Sequence, residues 1–253
     1  MTHALSVAII ARDEARHITA CLDSLNGLAT EVVVLVDNRT SDTTASLCAA
    51  HGARVFIEPW RGFPAQRNRA LDLCHYPWVL FIDADERVEP DLASEIRALL
   101  SATPLAVGYW IPRHNRFFGQ TLRGGGWYPD RQLRLLRRDV ARYDEARLIH
   151  EFADLHGELA TLRGHFTHEN IETLNEFWDK QTSYALAQAR TMALEGRRVR
   201  LRNFFGAPAR EFVRRYIQLG GWRDGALGLF LCGALAWFEL VAYAFLLHIQ
   251  VKK

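Results

Sequence analysis

Four short apolar runs recur along the first third of the chain, and a helical pattern separates each from the next. They are Leu5-Ser6-Val7-Ala8-Ile9-Ile10-Ala11, then Val32-Val33-Val34-Leu35-Val36 after Glu31, then Gly52-Ala53-Arg54-Val55-Phe56-Ile57, and last Trp78-Val79-Leu80-Phe81-Ile82. The first and last read as buried strands, and the two between them as strands. Between them, Ile18, Cys21, Leu22 and Leu25 mark one helix face, stopped by Asn26-Gly27. A polar loop from Asp37 leads into a helix through Leu47 and Ala50, and a third helix is expected over residues 64–73. Strand and helix in alternation, with short links, make a doubly wound, mostly parallel sheet, so the expected class is α/β and Rossmann-like.

Sheets of this kind bind ligands beyond the carboxyl ends of their strands. That rule gathers separate carboxylates onto one edge: Asp13-Glu14 after the first strand, Asp37 after the second, and Asp83-Ala84-Asp85-Glu86 after the fourth. Side chains alternate along a strand, so Asp83 and Asp85 face the same way. Such a pair is a hard oxygen site suited to Mg²⁺ or Mn²⁺ bridging a diphosphate. The same residues also suit an acidic turn before the helix expected from Pro90. Asp37 can hold a ribose or a base; turn and N-cap chemistry is the alternative for it, and the expected role of Asp42. No Gly-x-Gly-x-x-Gly follows the first strand and no Gly-Lys-Ser/Thr occurs, which argues against a dinucleotide dehydrogenase and a P-loop enzyme.

Further along, Gly108-Tyr109-Trp110-Ile111-Pro112 reads as a strand. Arg123-Gly124-Gly125-Gly126-Trp127 gives a loop whose aromatic can stack on a sugar, though the glycines equally suit a simple turn. Leu133-Arg134-Leu135-Leu136-Arg137-Arg138 is a strand with its basic residues expected towards substrate or solvent. Cys21, Cys48, Cys74 and Cys232 show no paired spacing and are expected to be reduced, mostly buried thiols. No signal-peptide pattern opens the sequence.

After Glu172 the character changes. An amphipathic helix over Leu174–Leu194 is followed by arginines from Arg197 to Arg215 interleaved with Phe204, Phe205, Phe212 and Tyr216. Basic and aromatic residues together fit nucleic acid or an anionic membrane surface, and no nucleic-acid motif accompanies them. Residues 225–249 are apolar apart from Glu239 and His248, long enough to span a bilayer. Glu239 near the middle is costly in hydrocarbon, so a helix lying in the membrane surface is expected in preference to a span. Packing on a hydrophobic domain face or a dimer interface is the remaining alternative. The expected division is a catalytic domain over 1–172 and a basic, apolar helical region over 173–253.

Several ordered motifs together resemble glycosyltransferase family 2 and its GT-A fold. They are Ile10-Ala11-Arg12-Asp13-Glu14, Val36-Asp37-Asn38-Arg39-Thr40-Ser41-Asp42-Thr43-Thr44, Trp60-Arg61-Gly62-Phe63-Pro64-Ala65-Gln66-Arg67-Asn68 and Phe81-Ile82-Asp83-Ala84-Asp85-Glu86. Gly125-Gly126-Trp127-Tyr128-Pro129-Asp130, Ile149-His150-Glu151 and the tail near Gly221-Trp222-Arg223-Asp224-Gly225 are similar to the bacterial lipopolysaccharide-core glucosyltransferase branch. Asp13 stands where Asn is usual, and Arg39 and Thr40 where small residues and Ser are commoner.

The resemblance implies inverting transfer of a hexose, glucose from UDP-glucose, with Mg²⁺ or Mn²⁺ as cofactor. Asp85 would ligate the metal, and Asp83 would contact the ribose or the metal's water shell. Asp37 would bind base or ribose, with Ala11, Asp13, Glu14 and Ala84 on the nucleotide side. Arg67 would offer its fork to phosphate, although a solvated helical arginine fits the residues equally. His168 would serve the metal or the diphosphate, with His165 as the alternative. Gly125, Gly126, Trp127, Tyr128 and His150 would lie on the acceptor side. Glu151 would be the general base, with Asp130 the second choice; His150 would orient it or be structural. The implied partners are a UDP-sugar donor, a lipid-linked saccharide acceptor and the cytoplasmic membrane surface, with the lipopolysaccharide inner core as acceptor and another glycolipid or polyprenyl-linked saccharide as alternatives. A noncatalytic sugar-nucleotide or membrane-binding module is the reading from another class, and it would not require the set Asp37, Asp83, Asp85, Glu151 and His168.

Overall fold

The computed structural model describes residues 5–102, 104–146 and 153–251. Their first half follows the expected alternation: β1 (Leu5–Ala11), α1 (Ile18–Asp23), β2 (Glu31–Asp37), α2 (Thr44–Ala50), β3 (Arg54–Glu58), α3 (Phe63–Leu73) and β4 (Trp78–Phe81). There follow β5 (Glu86–Val88), α4 (Pro90–Ser101), β6 (Gly108–Phe117), β7 (Gln120–Thr121), β8 (Asp130–Arg137), β9 (Arg142–Tyr143), β10 (Ala153–Asp154), β11 (Leu159–Thr161) and β12 (Phe166–Ile171). Three helices close the chain: α5 (Leu174–Leu194), α6 (Asn203–Phe212) and α7 (Gly225–Val251).

The main sheet runs β3-β2-β1-β4-β8-β6-β12-β5. Its first four strands are parallel, and β8 joins β4 antiparallel, so the sheet becomes mixed on that side. Strand order turns back at β1, with β2 on one side and β4 on the other; this is the switch point where a doubly wound sheet opens for a ligand. The apolar runs explain the core: Leu5, Val7, Ala8 and Ile9 of β1 and Val33, Val34 and Leu35 of β2 are fully buried, with α1 covering one face through Ile18, Cys21 and Leu22.

The chain divides into two compact units. One comprises 1–113 and 131–168, the other 114–130 and 169–253. The C-terminal helices thus share a unit with the glycine loop, a grouping that differs from a division in chain order at 172/173. The second unit has its own core of Phe117, Leu122, Ile171, Phe177, Ala189, Leu231 and Leu246. Helix α5 starts where Thr173 accepts from the Glu176 N–H at 3.2 Å and the Glu176 carboxylate accepts from the Glu172 N–H at 3.0 Å, a local N-terminal cap.

All four cysteines are free and buried. Among the described residues one segment, Gly221–Val251, is long and apolar enough to cross a membrane. Glu239 does not point away from the protein: its Oε1 accepts from the Gln188 amide of α5 at 3.0 Å.

Candidate active site

Strand register brings the carboxylates of the first unit to one edge. Ala11 pairs with Val36, Asp37 with Glu58, and the Ile82 N–H donates to the Ala8 carbonyl at 3.2 Å. Ala11, Asp37 and the loop from Asp83 therefore lie past the ends of adjacent parallel strands. The loop is short because β5 begins at Glu86 and pairs antiparallel with β12, with His168 opposite Glu86. That register sets buried His168 beside Asp85, and His168 Nε2 lies 3.3 Å from Asp85 Oδ2. The Asp85 side chain is 32% exposed, and the pair offers a carboxylate and an imidazole to a cation.

Asp83 is anchored differently. Arg134 Nη1 donates to its Oδ1 at 3.1 Å, Arg134 Nη2 donates to Oδ2, and Arg67 Nη2 stands 3.7 Å from Oδ1. Burial would raise this carboxyl, but the charges of Arg134 and Arg67 outweigh it and hold it well below the usual carboxylate range. Its side chain remains 40% exposed, open to a ligand while fixed from behind.

Glu86 is fully buried and ties the turn together. Its Oε2 accepts from the Asp83 N–H and its Oε1 from Arg113 Nη1, both at 2.9 Å, with Arg134 Nη2 at 3.6 Å. Arg87 Nη1 closes the turn from outside by donating to the carbonyls of Ala84 and Glu86 at 3.0 and 2.8 Å. Ala84 is buried in this turn.

Two expectations about arginines need correction. Arg134 does not face substrate or solvent; it is buried against Asp83 and Glu86, because two carboxylates outweigh the cost of taking one guanidinium out of water. Arg67 is not a solvated helical residue. Its guanidinium lies over the Phe81 and Tyr143 rings, 5.2 and 5.7 Å from their centroids, on the Asp83 side.

Beside this turn is a cavity of about 320 Å³ lined by Ile10, Ala11, Glu14, Asp37, Trp60 and Phe63 together with Arg12 and Arg39. Trp60 and Phe63 meet edge to face at 4.7 Å and form its aromatic wall. Asp37 is buried, and Arg39 grips it through its backbone N–H at 3.0 Å and through Nη2 at 2.6 Å. These hydrogen bonds, with the Arg39 charge, hold the Asp37 carboxyl down to about 2. Asp13 adopts φ 54°, a left-handed conformation that Asp tolerates, and its Oδ1 accepts from the Ser41 N–H at 2.7 Å. Asp42 has the turn role of the two expected for it, accepting from the Thr44 N–H at 2.9 Å just before the N-cap Thr43, and also reaches across to the Ala15 N–H at 2.9 Å. The Glu14 carboxyl is pushed up to about 7, first by burial and then by Asp85 and Asp83.

Gly125, Gly126, Trp127 and Tyr128, the residues expected towards an acceptor, belong to the second unit. Gly125 and Gly126 have φ 66° and 87°, which glycine adopts without strain. A Cβ on Gly124 would sit 2.0 Å from the Gly220 carbonyl oxygen, so that position needs glycine for close approach. The buried Asp224 carboxylate accepts from the N–H groups of Arg123 and Gly124 at 2.7 and 3.0 Å, and clamps the loop. Trp127 packs on Phe117 with centroids 5.5 Å apart, and Arg215 lies over its ring at 5.3 Å. Tyr128 stacks on His114 at 5.6 Å. Asp130 Oδ2 accepts from Asn115 Nδ2 at 3.0 Å; Asn170 donates to Asn115 Oδ1 at 3.2 Å, and Lys180 to Asn170 Oδ1 at 3.1 Å. His150 and Glu151 lie outside the described residues.

Residues missed by sequence reasoning are the cluster Glu86, Arg113 and Arg134, and the cavity walls Trp60, Phe63 and Arg39. Glu86 extends the acidic motif by one residue, and Arg39, Trp60 and Phe63 lie within the quoted motifs, Arg39 as a departure from the pattern; Arg113 carried no signal.

The family model described as Glycosyl transferase family 2 matches residues 6–154. The lipopolysaccharide core biosynthesis glycosyltransferase LpsC of Rhizobium meliloti (strain 1021) is 31% identical over 252 residues, covering 96% of this chain and 93% of LpsC. The uncharacterized glycosyltransferase RP128 of Rickettsia prowazekii (strain Madrid E) is 26% identical over 233 residues, covering 85% and 79%. Among solved structures, S. aureus TarS 1-349 in complex with UDP shares the fold at a TM-score of 0.50 and 15% identity, over 98% of this chain and 92% of that chain.

Proposed function

The chain belongs to glycosyltransferase family 2 and has the GT-A fold, and from that premise we propose that it transfers a hexose, glucose by the family pattern, from a UDP-sugar to a lipid-linked glycan with inversion at the anomeric carbon. The lipopolysaccharide inner core is the proposed acceptor, in keeping with what LpsC is named for. The observation that carries the reading is Asp85 set 3.3 Å from His168, on a turn that Glu86, Arg134 and Arg113 fix, at the sheet edge that holds the aromatic-walled cavity.

The donor set suits the proposed cofactor. The half-open Asp85 carboxylate is the hard oxygen ligand that Mg²⁺ or Mn²⁺ takes, and Asp85, with His168 beside it, would hold the ion. When bound, such an ion stabilises the charge that collects on a departing diphosphate. Asp83, held ionised by Arg134 and Arg67, would orient the ribose or the ion's water shell. Trp60 and Phe63 offer apolar surface to the nucleoside base, and the cavity of about 320 Å³ is at the small end of ligand sites.

For transfer, a carboxylate takes the proton of an acceptor hydroxyl as that oxygen forms a bond to the sugar's anomeric carbon. The bond from that carbon to the diphosphate breaks on the opposite face, and its electron pair leaves with the diphosphate. Glu151 is the proposed base and Asp130 the second candidate, its carboxylate steadied by Asn115. The second unit supports a place on the cytoplasmic membrane surface: of the nineteen exposed large hydrophobic residues among those described, fifteen belong to it, Trp237, Leu247 and Phe205 among them.

The test is titration calorimetry with UDP-glucose, UDP and GDP-mannose, in Mn²⁺ and then in EDTA, on wild type and Asp85→Asn. Binding of the uridine ligands only, lost in EDTA and in the variant, is the expected result. Metal-independent binding, or a preference for GDP-mannose, would refute the donor assignment.

A further inference from the structure

Residues of α5, α6 and α7 and of the segments that follow α5 and α6 in the second unit line a second, open cavity, of about 530 Å³, that none of the proposed chemistry uses. Its lining carries Arg197, Arg210 and Arg214 against Glu195, Glu211 and Glu239, a balance of charge unlike a simple anion or cation site. Most of that charge is settled internally. Arg214 donates to both oxygens of Glu211 at 2.7 and 2.9 Å, and Arg197 Nε stands 2.8 Å from Glu195.

Two groups are left on different walls. Arg210 of α6 is exposed and, among the described residues, makes no ion pair. Glu239 of α7 accepts from the Gln188 amide and feels the charge of Arg214, whose guanidinium is already committed to Glu211. A carboxylate and a guanidinium on different helices of one cavity lining are the complement of a molecule with one phosphate and one ammonium. A purely anionic ligand would meet three carboxylates there, and an uncharged sugar would leave both groups unneutralised.

The surroundings say how such a ligand arrives. Leu194, Leu201 and Phe205, near the lining residues in sequence, are 89%, 79% and 74% exposed, and Val213 beside Arg214 is also exposed. Exposed apolar side chains near in sequence to a polar lining suit a headgroup presented from a lipid phase.

We propose that this cavity is a site for a zwitterionic lipid headgroup, a phosphate diester bearing a primary ammonium, with the phosphate on Arg210 and the ammonium on Glu239. The proposal rests on the reading that this unit lies on a membrane. It gives the unit a preference among lipids in addition to its attraction to negative surface charge.

The experiment is flotation of the full chain with vesicles of phosphatidylglycerol mixed with equal fractions of either phosphatidylethanolamine or phosphatidylcholine, so that surface charge is the same. A primary ammonium donates hydrogen bonds to Glu239, and a trimethylammonium has no proton to donate. Binding should be about tenfold tighter with phosphatidylethanolamine, the low end for one hydrogen bond to a charged group. Arg210→Gln and, separately, Glu239→Gln should abolish the preference for phosphatidylethanolamine; Glu239→Gln should leave phosphatidylcholine binding unchanged, whereas Arg210→Gln, which removes the phosphate contact and a positive charge, should weaken binding to both vesicles. Arg210 is exposed, so its variant reports even if the α7 variant fails to fold. Equal binding of wild type to both vesicles, or variants that keep the preference, would overturn the site while leaving the membrane reading intact. If no vesicle is bound, the membrane reading fails, and titration with soluble glycerophosphoethanolamine decides the site: heat that depends on Arg210 retains it, and no heat overturns it.

Discussion

Replacing Arg134 with Met tests whether the acidic turn is held by a buried charge cluster. The substitution keeps most of the side-chain volume and removes both hydrogen bonds to Asp83 and the contact with Glu86. Taking one partner from a buried pair costs about 3–5 kcal/mol. Two features reduce that here. Arg67 and Arg113 remain beside the two carboxylates, and Arg134 Nε, buried without a hydrogen-bond partner, is a liability whose loss returns about 1 kcal/mol. The net expectation is a loss of about 2–4 kcal/mol at pH 7, or roughly 5–15 °C in Tm for a chain of this length. The pH dependence has a definite sign. Asp83 ionises more readily folded than unfolded, so its contribution is complete above the unfolded value near pH 4 and is lost as pH falls through the folded one. Urea unfolding of both proteins from pH 7 to pH 3 should show the gap closing below about pH 4. A gap under about 0.5 kcal/mol at pH 7, or one that persists unchanged in acid, would refute the cluster as the anchor of the turn.

Glu14 has the opposite sign. Its carboxyl is raised from 4.5 to about 7, so the folded chain loses stability as pH rises through that interval; Glu14→Gln should gain in Tm over wild type at pH 8 and not at pH 4.5. Equal shifts at both values would contradict the burial assigned to it. Gly124→Ala places a methyl 2.0 Å from a backbone oxygen and should cost at least about 2 kcal/mol in thermal unfolding, whereas a wild-type Tm would mean the Gly220 segment yields freely. Trp237→Ser with Leu247→Ser, on exposed positions of α7, should weaken vesicle binding and leave metal-dependent binding of UDP-glucose in solution unchanged. Undiminished vesicle binding would move the membrane contact elsewhere.

The parallel half of the sheet was legible because largely apolar runs of five to seven residues between helical patterns leave few alternatives. Helix α5 was legible to the residue from its amphipathic pattern. The expected edge of carboxylates followed from topology alone. What fixes those carboxylates did not: Arg134 and Arg113 sit far along the chain on later strands, and an arginine in a strand reads as solvated until a partner is seen. Arg39 is the sharper case. It was visible as a departure from the family pattern, yet only the structure gives the consequence, that it closes on Asp37 two residues earlier. The grouping of 114–130 with the tail was illegible for a similar reason, because it depends on Asp224 capping a loop about a hundred residues away.

Transfer itself is the most direct test of the account. The purified chain, incubated with radiolabelled UDP-glucose, Mn²⁺ and lipid-linked core saccharide truncated before its first hexose, should yield a labelled glycolipid whose new linkage is inverted relative to the donor. EDTA and Asp85→Asn should each abolish the label. Label in a product of retained configuration, or undiminished transfer without metal, would contradict the proposed chemistry.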